Sequence, residues 1–273
     1  MKDKDWIEKG FLEDGLPYVR IGNKPKILLN IEALSFKHEP PSGFELGQFK
    51  KAAKKFTSEY TVYLVGRKPN LPENYLMDKM ANDYAQMIRR EFKGPVDVMG
   101  VSTGGQIAHY LAADHPDTVK KLVLISTAYR LSKEGVEIER RAAEFFKQEK
   151  YGKSLATITE LIFRKKFWRK ITSFFIRLFF RRMLGEIKYP NDFLVEIQAD
   201  REMNFLNRLH EIKAPTLILS GEDDIGYTAE DVRITADCIP NSELILYEGY
   251  GHNLFNANRK KVLKEIWKFL QKE

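Results

Sequence analysis

Cysteine is nearly missing from this chain. Cys238 is the one cysteine among 273 residues, so no intramolecular disulfide can form. That usage fits a reducing compartment, and a cytoplasmic protein is expected. Long apolar runs are missing too: no uninterrupted stretch approaches the ~20 residues of a membrane-spanning helix. The first twenty residues, MKDKDWIEKGFLEDGLPYVR, hold acids and no apolar run, so no signal peptide is expected. Internal repeats and low-complexity linkers are absent. What remains is a globular balance, 43% hydrophobic and 30% charged. That suits one large domain, or a domain with an insertion, around a sizeable core.

The net charge is +7, a sign that often points to nucleic acid. Its distribution points elsewhere. Residues 160–188 hold nine Lys and Arg against two Glu, so the whole excess belongs to this segment. Those basic residues are interleaved with a dense aromatic run, and no nucleic-acid reading motif is found. A nucleic-acid partner is therefore not expected.

Short apolar runs recur at 18–21, 26–30 (KILLN), 61–65 (TVYLV), 96–99, 122–126 (LVLIS), 216–220 (TLILS) and 243–247. Several are apolar throughout, as strands buried on both faces should be. Between them, 74–92, 106–115 and 260–270 carry helical periodicity. Alternating strands and helices predict a mainly parallel, doubly wound α/β sheet covered on both faces. The strands stop between Tyr129 and His210, where only helical patterns remain. The expected organisation is a core over 1–128 and 206–273 with a helical cap inserted over 129–205.

The run from Val98 to Gln106, VMGVSTGGQ, sets Ser102 between Gly100 and Gly104 after a strand and before a helix. A strand-to-helix turn this tight strains the serine backbone and leaves no room for side chains two residues away. It lifts the hydroxyl above the carboxyl ends of the strands, where ligands bind in open α/β sheets. It also aims the Thr103 amide and the helix start at a developing oxyanion. A serine here can equally be a helix N-cap beside packing glycines. Downstream residues bear on that choice. Strand 216–220 runs into Gly221-Glu-Asp-Asp224, and strand 243–247 into Glu248-Gly-Tyr-Gly-His252. A carboxylate and a histidine thus follow strand ends on the edge that carries Ser102.

In this combination the sequence resembles the α/β-hydrolase fold family, with a helical cap, over nearly its whole length. Asp224 lies three residues after Gly221, and His252 follows Gly251, as is usual in that family. The stretches PNLPENYLMDKMANDYAQMI and AADHPDTVKKLVLIS are similar to family members too. The resemblance implies acyl transfer, with Ser102 as nucleophile, His252 as base and Asp224 as the acid that orients it. An ester of a small or medium apolar acyl group is the expected substrate. Thioester, amide, lactone or carbon–carbon cleavage, and acyl transfer to another acceptor, use the same triad. A non-catalytic small-molecule or membrane-surface binding protein on this scaffold is the rival class. No metal or organic cofactor is required. Asp223 competes with Asp224 as the acid. His38, His109, His115 and His210 compete with His252, but none follows a strand in a glycine turn; His38, in the loop after KILLN, keeps a binding role open.

The pattern departs from the family where many members carry His-Gly after the strand matching KILLN. Here the chain reads Asn30-Ile31-Glu32. The second oxyanion amide is expected from Ile31 or Glu32, with a carboxylate beside the place where negative charge should develop. In the cap, 165–184 reads KKFWRKITSFFIRLFFRRML. At about 100° per residue, Phe167, Ile171, Phe174, Phe175, Leu178 and Phe179 share one face, and Lys166, Arg169, Lys170, Arg177 and Arg181 line the other. One reading packs the aromatic face over the active site, so that Phe174 and Phe175 wall an acyl pocket. The others dock it on an anionic membrane surface or on a second copy.

Overall fold

The structure is a computed structural model that describes residues 6–162 and 166–272. Eight strands build one sheet: β1 (Ile7–Phe11), β2 (Pro17–Ile21), β3 (Lys26–Ile31), β4 (Tyr60–Val65), β5 (Val96–Val101), β6 (Val119–Ile125), β7 (Thr216–Gly221) and β8 (Ser242–Tyr247). Their order is β1-β2-β4-β3-β5-β6-β7-β8. β2 runs antiparallel to β1 and β4, and every other pairing is parallel. The helices are α1 (Gly43–Ala53), α2 (Met77–Glu91), α3 (Thr103–Asp114), α4 (Lys133–Lys147), α5 (Tyr151–Ile162), α6 (Lys166–Leu184), α7 (Pro190–Glu202), α8 (Ala229–Cys238), α9 (Leu254–Ala257) and α10 (Arg259–Leu270).

Period-two alternation sends neighbouring residues of each central strand into two different cores. Leu29, Val98, Leu122 and Ile218 meet Met80 and Tyr84 of α2 and Ile107 of α3 on one face. Leu28, Met99, Val123 and Leu217 meet Phe49 of α1 and Val262 and Ile266 of α10 on the other. That is why these runs carry no polar face. Strand β1 has no apolar run to announce it. It is an edge strand of sequence IEKGF, and none of its residues is buried. Helix α1 was equally hidden, because its burial rests on Phe49, Ala52 and Ala53 alone.

Helices α4 to α7 come between β6 and β7 with no strand among them. Ser132 caps α4 by accepting a hydrogen bond from the Gly135 amide. Phe146 of α4 and Phe193 and Ile197 of α7 gather around Phe36, from the loop after β3, into a third apolar cluster. Phe36 stacks on Phe193 at 4.1 Å.

Helix α6 is turned the other way from the pocket-wall expectation. Phe174 is 64% exposed, Phe175 53% and Leu178 62%, so these side chains face outward. The side that packs carries Ile176, which is buried, and Phe180. A small residue on α5 decides this: a Cβ on Gly152 would stand 2.9 Å from the Phe180 ring and 3.4 Å from the Arg177 Cα. The bare glycine backbone lets α6 approach along its Ile176–Phe180 side. Lys165, where the sequence begins this helix, lies outside the described residues, as do the side chains of Lys166 and Arg169.

Candidate active site

Strand β5 ends at Val101 and α3 begins at Thr103, so the reversal falls on Ser102 alone. Its backbone sits at φ 53° and ψ −126°, a conformation that costs a non-glycine residue roughly 1–3 kcal/mol. The flanking glycines permit it. A Cβ on Gly100 would lie 2.5 Å from the Gly104 carbonyl oxygen, and one on Gly104 would lie 2.4 Å from that of Ile31. Thr103 opens α3, where first-turn amides have no partner within the helix.

Ser102 Oγ lies 3.0 Å from Nε2 of His252. His252 Nδ1 lies 2.9 Å from Oδ2 of Asp224. The other oxygen of Asp224 accepts from the amides of Gly226, at 2.8 Å, and Tyr227, at 3.1 Å. The acid that meets the histidine is therefore Asp224 and not Asp223. Burial opposes charge on His252, but the charge and hydrogen bond of Asp224 outweigh it, with Asp200 adding, so the imidazole pKa is raised.

The other histidines stand elsewhere. His38 is buried between the Lys68 carbonyl, 2.8 Å from its Nδ1, and Glu196, 3.1 Å from its Nε2. His109 is buried in α3 against the Gly105 carbonyl, and burial lowers its pKa to about 4. His115 pairs with Asn82, and His210 is exposed.

Of the two candidates for the second oxyanion amide, that of Glu32 is engaged. Ile31 is a strand residue, paired with Val65 on one side and Gly100 on the other, and the Glu32 amide donates to the Val65 carbonyl at 3.1 Å. Strand β3 runs through Ile31, and the Glu32 amide joins its ladder to β4. The Glu32 carboxyl is buried. Burial, with a smaller push from Glu45 and against the pull of Arg67, raises its pKa well above the usual range. That shift opposes a negative charge beside the oxyanion position. Arg67 holds the carbonyls of Glu32, at 2.5 Å, and Ala33, at 2.8 Å, and pairs with Glu196.

A second layer of polar groups surrounds the turn, and the sequence carried no signal for it. Asp200, on α7, accepts from the Thr103 hydroxyl and from the Tyr227 hydroxyl. Gln106 of α3 donates to that same Tyr227 oxygen at 2.9 Å, and the Tyr227 ring stacks on His252. Burial lifts Asp200 to about 6, and burial, with the neighbouring Asp200 adding, raises Glu139 of α4 well above the usual carboxylate value. Asp200 and Tyr227 lie about a hundred residues or more from Ser102 in sequence, Asp200 on a helix and Tyr227 in the loop before α8.

A cavity of about 980 Å³ opens beside the turn. Its walls include Ile31, Glu32, Phe49, Met99, Val101 and Phe255, so it runs between α1 and the sheet and is mainly apolar. A separate cavity of about 710 Å³ lies at the opposite strand ends, around Lys26 and Val96, away from Ser102. Among the described residues, no group of His, Cys, Asp and Glu is arranged to hold a metal ion.

The family model for the alpha/beta hydrolase fold matches residues 63–256. A poly(3-hydroxyalkanoate) depolymerase of Ectopseudomonas oleovorans is 29% identical over 203 residues, 73% of this chain and 69% of that protein. A bifunctional esterase/perhydrolase of Acinetobacter calcoaceticus is 27% identical over 230 residues, 76% of this chain and 78% of its own length. The solved enol-lactonase of Burkholderia xenovorans superposes with a TM-score of 0.77 over 97% of this chain and all of its own, at 18% identity, a likeness of fold. On a family match that spans most of its length, and on a sheet whose topology agrees, this chain belongs to the alpha/beta hydrolase fold family.

Proposed function

We propose that the protein is a serine hydrolase that cleaves esters of apolar acyl groups. The observation that carries this reading is the line from Ser102 Oγ through His252 to Asp224, with contacts of 3.0 and 2.9 Å. In it His252 takes the hydroxyl proton as Ser102 attacks the ester carbonyl, and Asp224 holds the imidazole tautomer and stabilises the imidazolium. The Thr103 amide faces the charge that develops on the carbonyl oxygen. His252 then protonates the leaving alcohol. Water, deprotonated by the same nitrogen, releases the acid and restores Ser102. The apolar cavity beside Val101 supports an apolar acyl group, since such pockets hold ligands by apolar contact. The esterase and depolymerase among its relatives support ester chemistry.

A fluorophosphonate probe tests the reading. It should label the wild type and leave Ser102→Ala unlabelled. A p-nitrophenyl ester series of increasing chain length then measures the cavity. Folded wild type that takes no label overturns the proposal.

A further inference from the structure

We propose that the outward face of α6 docks this protein on an anionic lipid surface. The inference stands apart from the chemistry of Ser102. Its first support is exposure on an amphipathic helix. Phe167, Phe174, Phe175, Leu178 and Phe179 are between 46% and 66% exposed, while the opposite side of the helix is spent on α5. Phe175 lies between Phe174, edge to face at 5.7 Å, and Phe179, stacked at 6.4 Å. The three rings form one outward patch. Isolated apolar residues on a surface need no explanation, but a contiguous aromatic patch marks a contact site.

The second support is charge. Lys170, Arg177 and Arg181 fall within about 40° of one another along one flank of the apolar stripe, and all three are exposed, as is Arg182. The chain's entire net charge of +7 resides in the segment around this helix. An aromatic stripe with a basic flank matches a bilayer interface, where rings enter the acyl boundary and cations meet anionic headgroups. A second copy of the same face would bring the same cations and no complementary anions, so charge favours the lipid.

The third support is position. Ile162, the last residue of α5, lines the apolar cavity beside the Ser102 turn. Lys166 opens α6 four residues later, so the helix begins within about 14 Å of that wall. Phe44, another wall residue, is 82% exposed. A protein docked through α6 therefore holds an apolar cavity close to the lipid.

The experiment is co-sedimentation of the full chain with vesicles of phosphatidylcholine alone and of phosphatidylcholine mixed with phosphatidylglycerol. Wild type should pellet with the mixed vesicles, release as salt rises, and stay in solution with the neutral ones. Each basic residue near an anionic surface is worth about fivefold in binding, so the triple variant R177E/R181E/R182E should bind at least about a hundredfold more weakly. Phe174→Ser with Phe175→Ser should also lose binding. Both variants change exposed side chains and should keep the wild-type thermal midpoint. Ser102→Ala should pellet like wild type, so a failed labelling of Ser102 leaves this result intact. Wild type that stays in solution with the mixed vesicles overturns the proposal. So does undiminished pelleting of the charge-reversed variant, or an aromatic patch that drives self-association without lipid.

Discussion

Ser102 joins the proposed chemistry and the backbone strain in one residue. Its φ of 53° is imposed by the turn, because strand and helix leave it no neighbour to share the reversal. Ser102→Ala should abolish ester turnover by roughly 10⁶-fold with little change in stability, since alanine inherits the same strain. Ser102→Gly should be equally inactive yet more stable by about 1 kcal/mol in urea unfolding, because glycine takes positive φ without clash. His252 must be neutral to accept the serine proton, and its pKa is raised above 6.5. The acid limb of kcat/KM should therefore lie above that value, with activity rising as pH passes through it. Asp224→Asn removes the main source of the shift. It should move the limb down and cut kcat by about 10⁴-fold, and a limb that does not move would refute the assigned cause.

At the scale of elements, α7 ties the inserted helices to the nucleophile turn. Asp200 reaches Thr103 and Tyr227, and Glu196 reaches Arg67 and His38. Asp200→Ala leaves two buried hydroxyls without their acceptor, a loss of about 2–4 kcal/mol by thermal or urea denaturation. The same change frees the Thr103 side chain beside the proposed oxyanion amide. It should lower kcat roughly tenfold or more with a smaller change in KM. Ser102, Asp224 and His252 could be singled out from glycine turns at strand ends, because each local motif contains its own reason. Asp200 and Glu139 could not, because no local pattern tells an inward carboxylate on an amphipathic helix from an outward one. Whether the Glu32 amide is open to an oxyanion was not legible for a related reason: how far β3 runs depends on β4 and β5 pairing beside it.

The whole molecule carries a buried acidic layer of Glu32, Glu139 and Asp200, while its net positive charge belongs to residues 160–188. Burial raises Glu32 and Glu139 well above the usual carboxylate value and Asp200 to about 6. Between the unfolded carboxylate range near pH 4 and these raised values, the folded protein keeps protons that the unfolded chain has lost. This layer's contribution to stability is therefore full in acid and falls as pH rises through that window. Glu139→Gln keeps a neutral hydrogen-bonding group there and removes one such titration. Urea midpoints at about pH 5 and about pH 8 should show the variant gaining on wild type at the higher value. Equal differences at both values would rule out Glu139 as a source of the slope.

The sequence by itself determined the parallel sheet, the serine turn and the order of serine, acid and histidine. Each follows from short-range rules: apolar runs for doubly buried strands, glycine where atoms crowd, and turns at strand ends. Tertiary structure alone decided which side of α6 faces the protein. The helix is apolar over much of its circumference, so hydrophobicity could not choose. The choice fell to the close approach that Gly152 allows at Phe180 and Arg177, a contact between helices that no local pattern encodes.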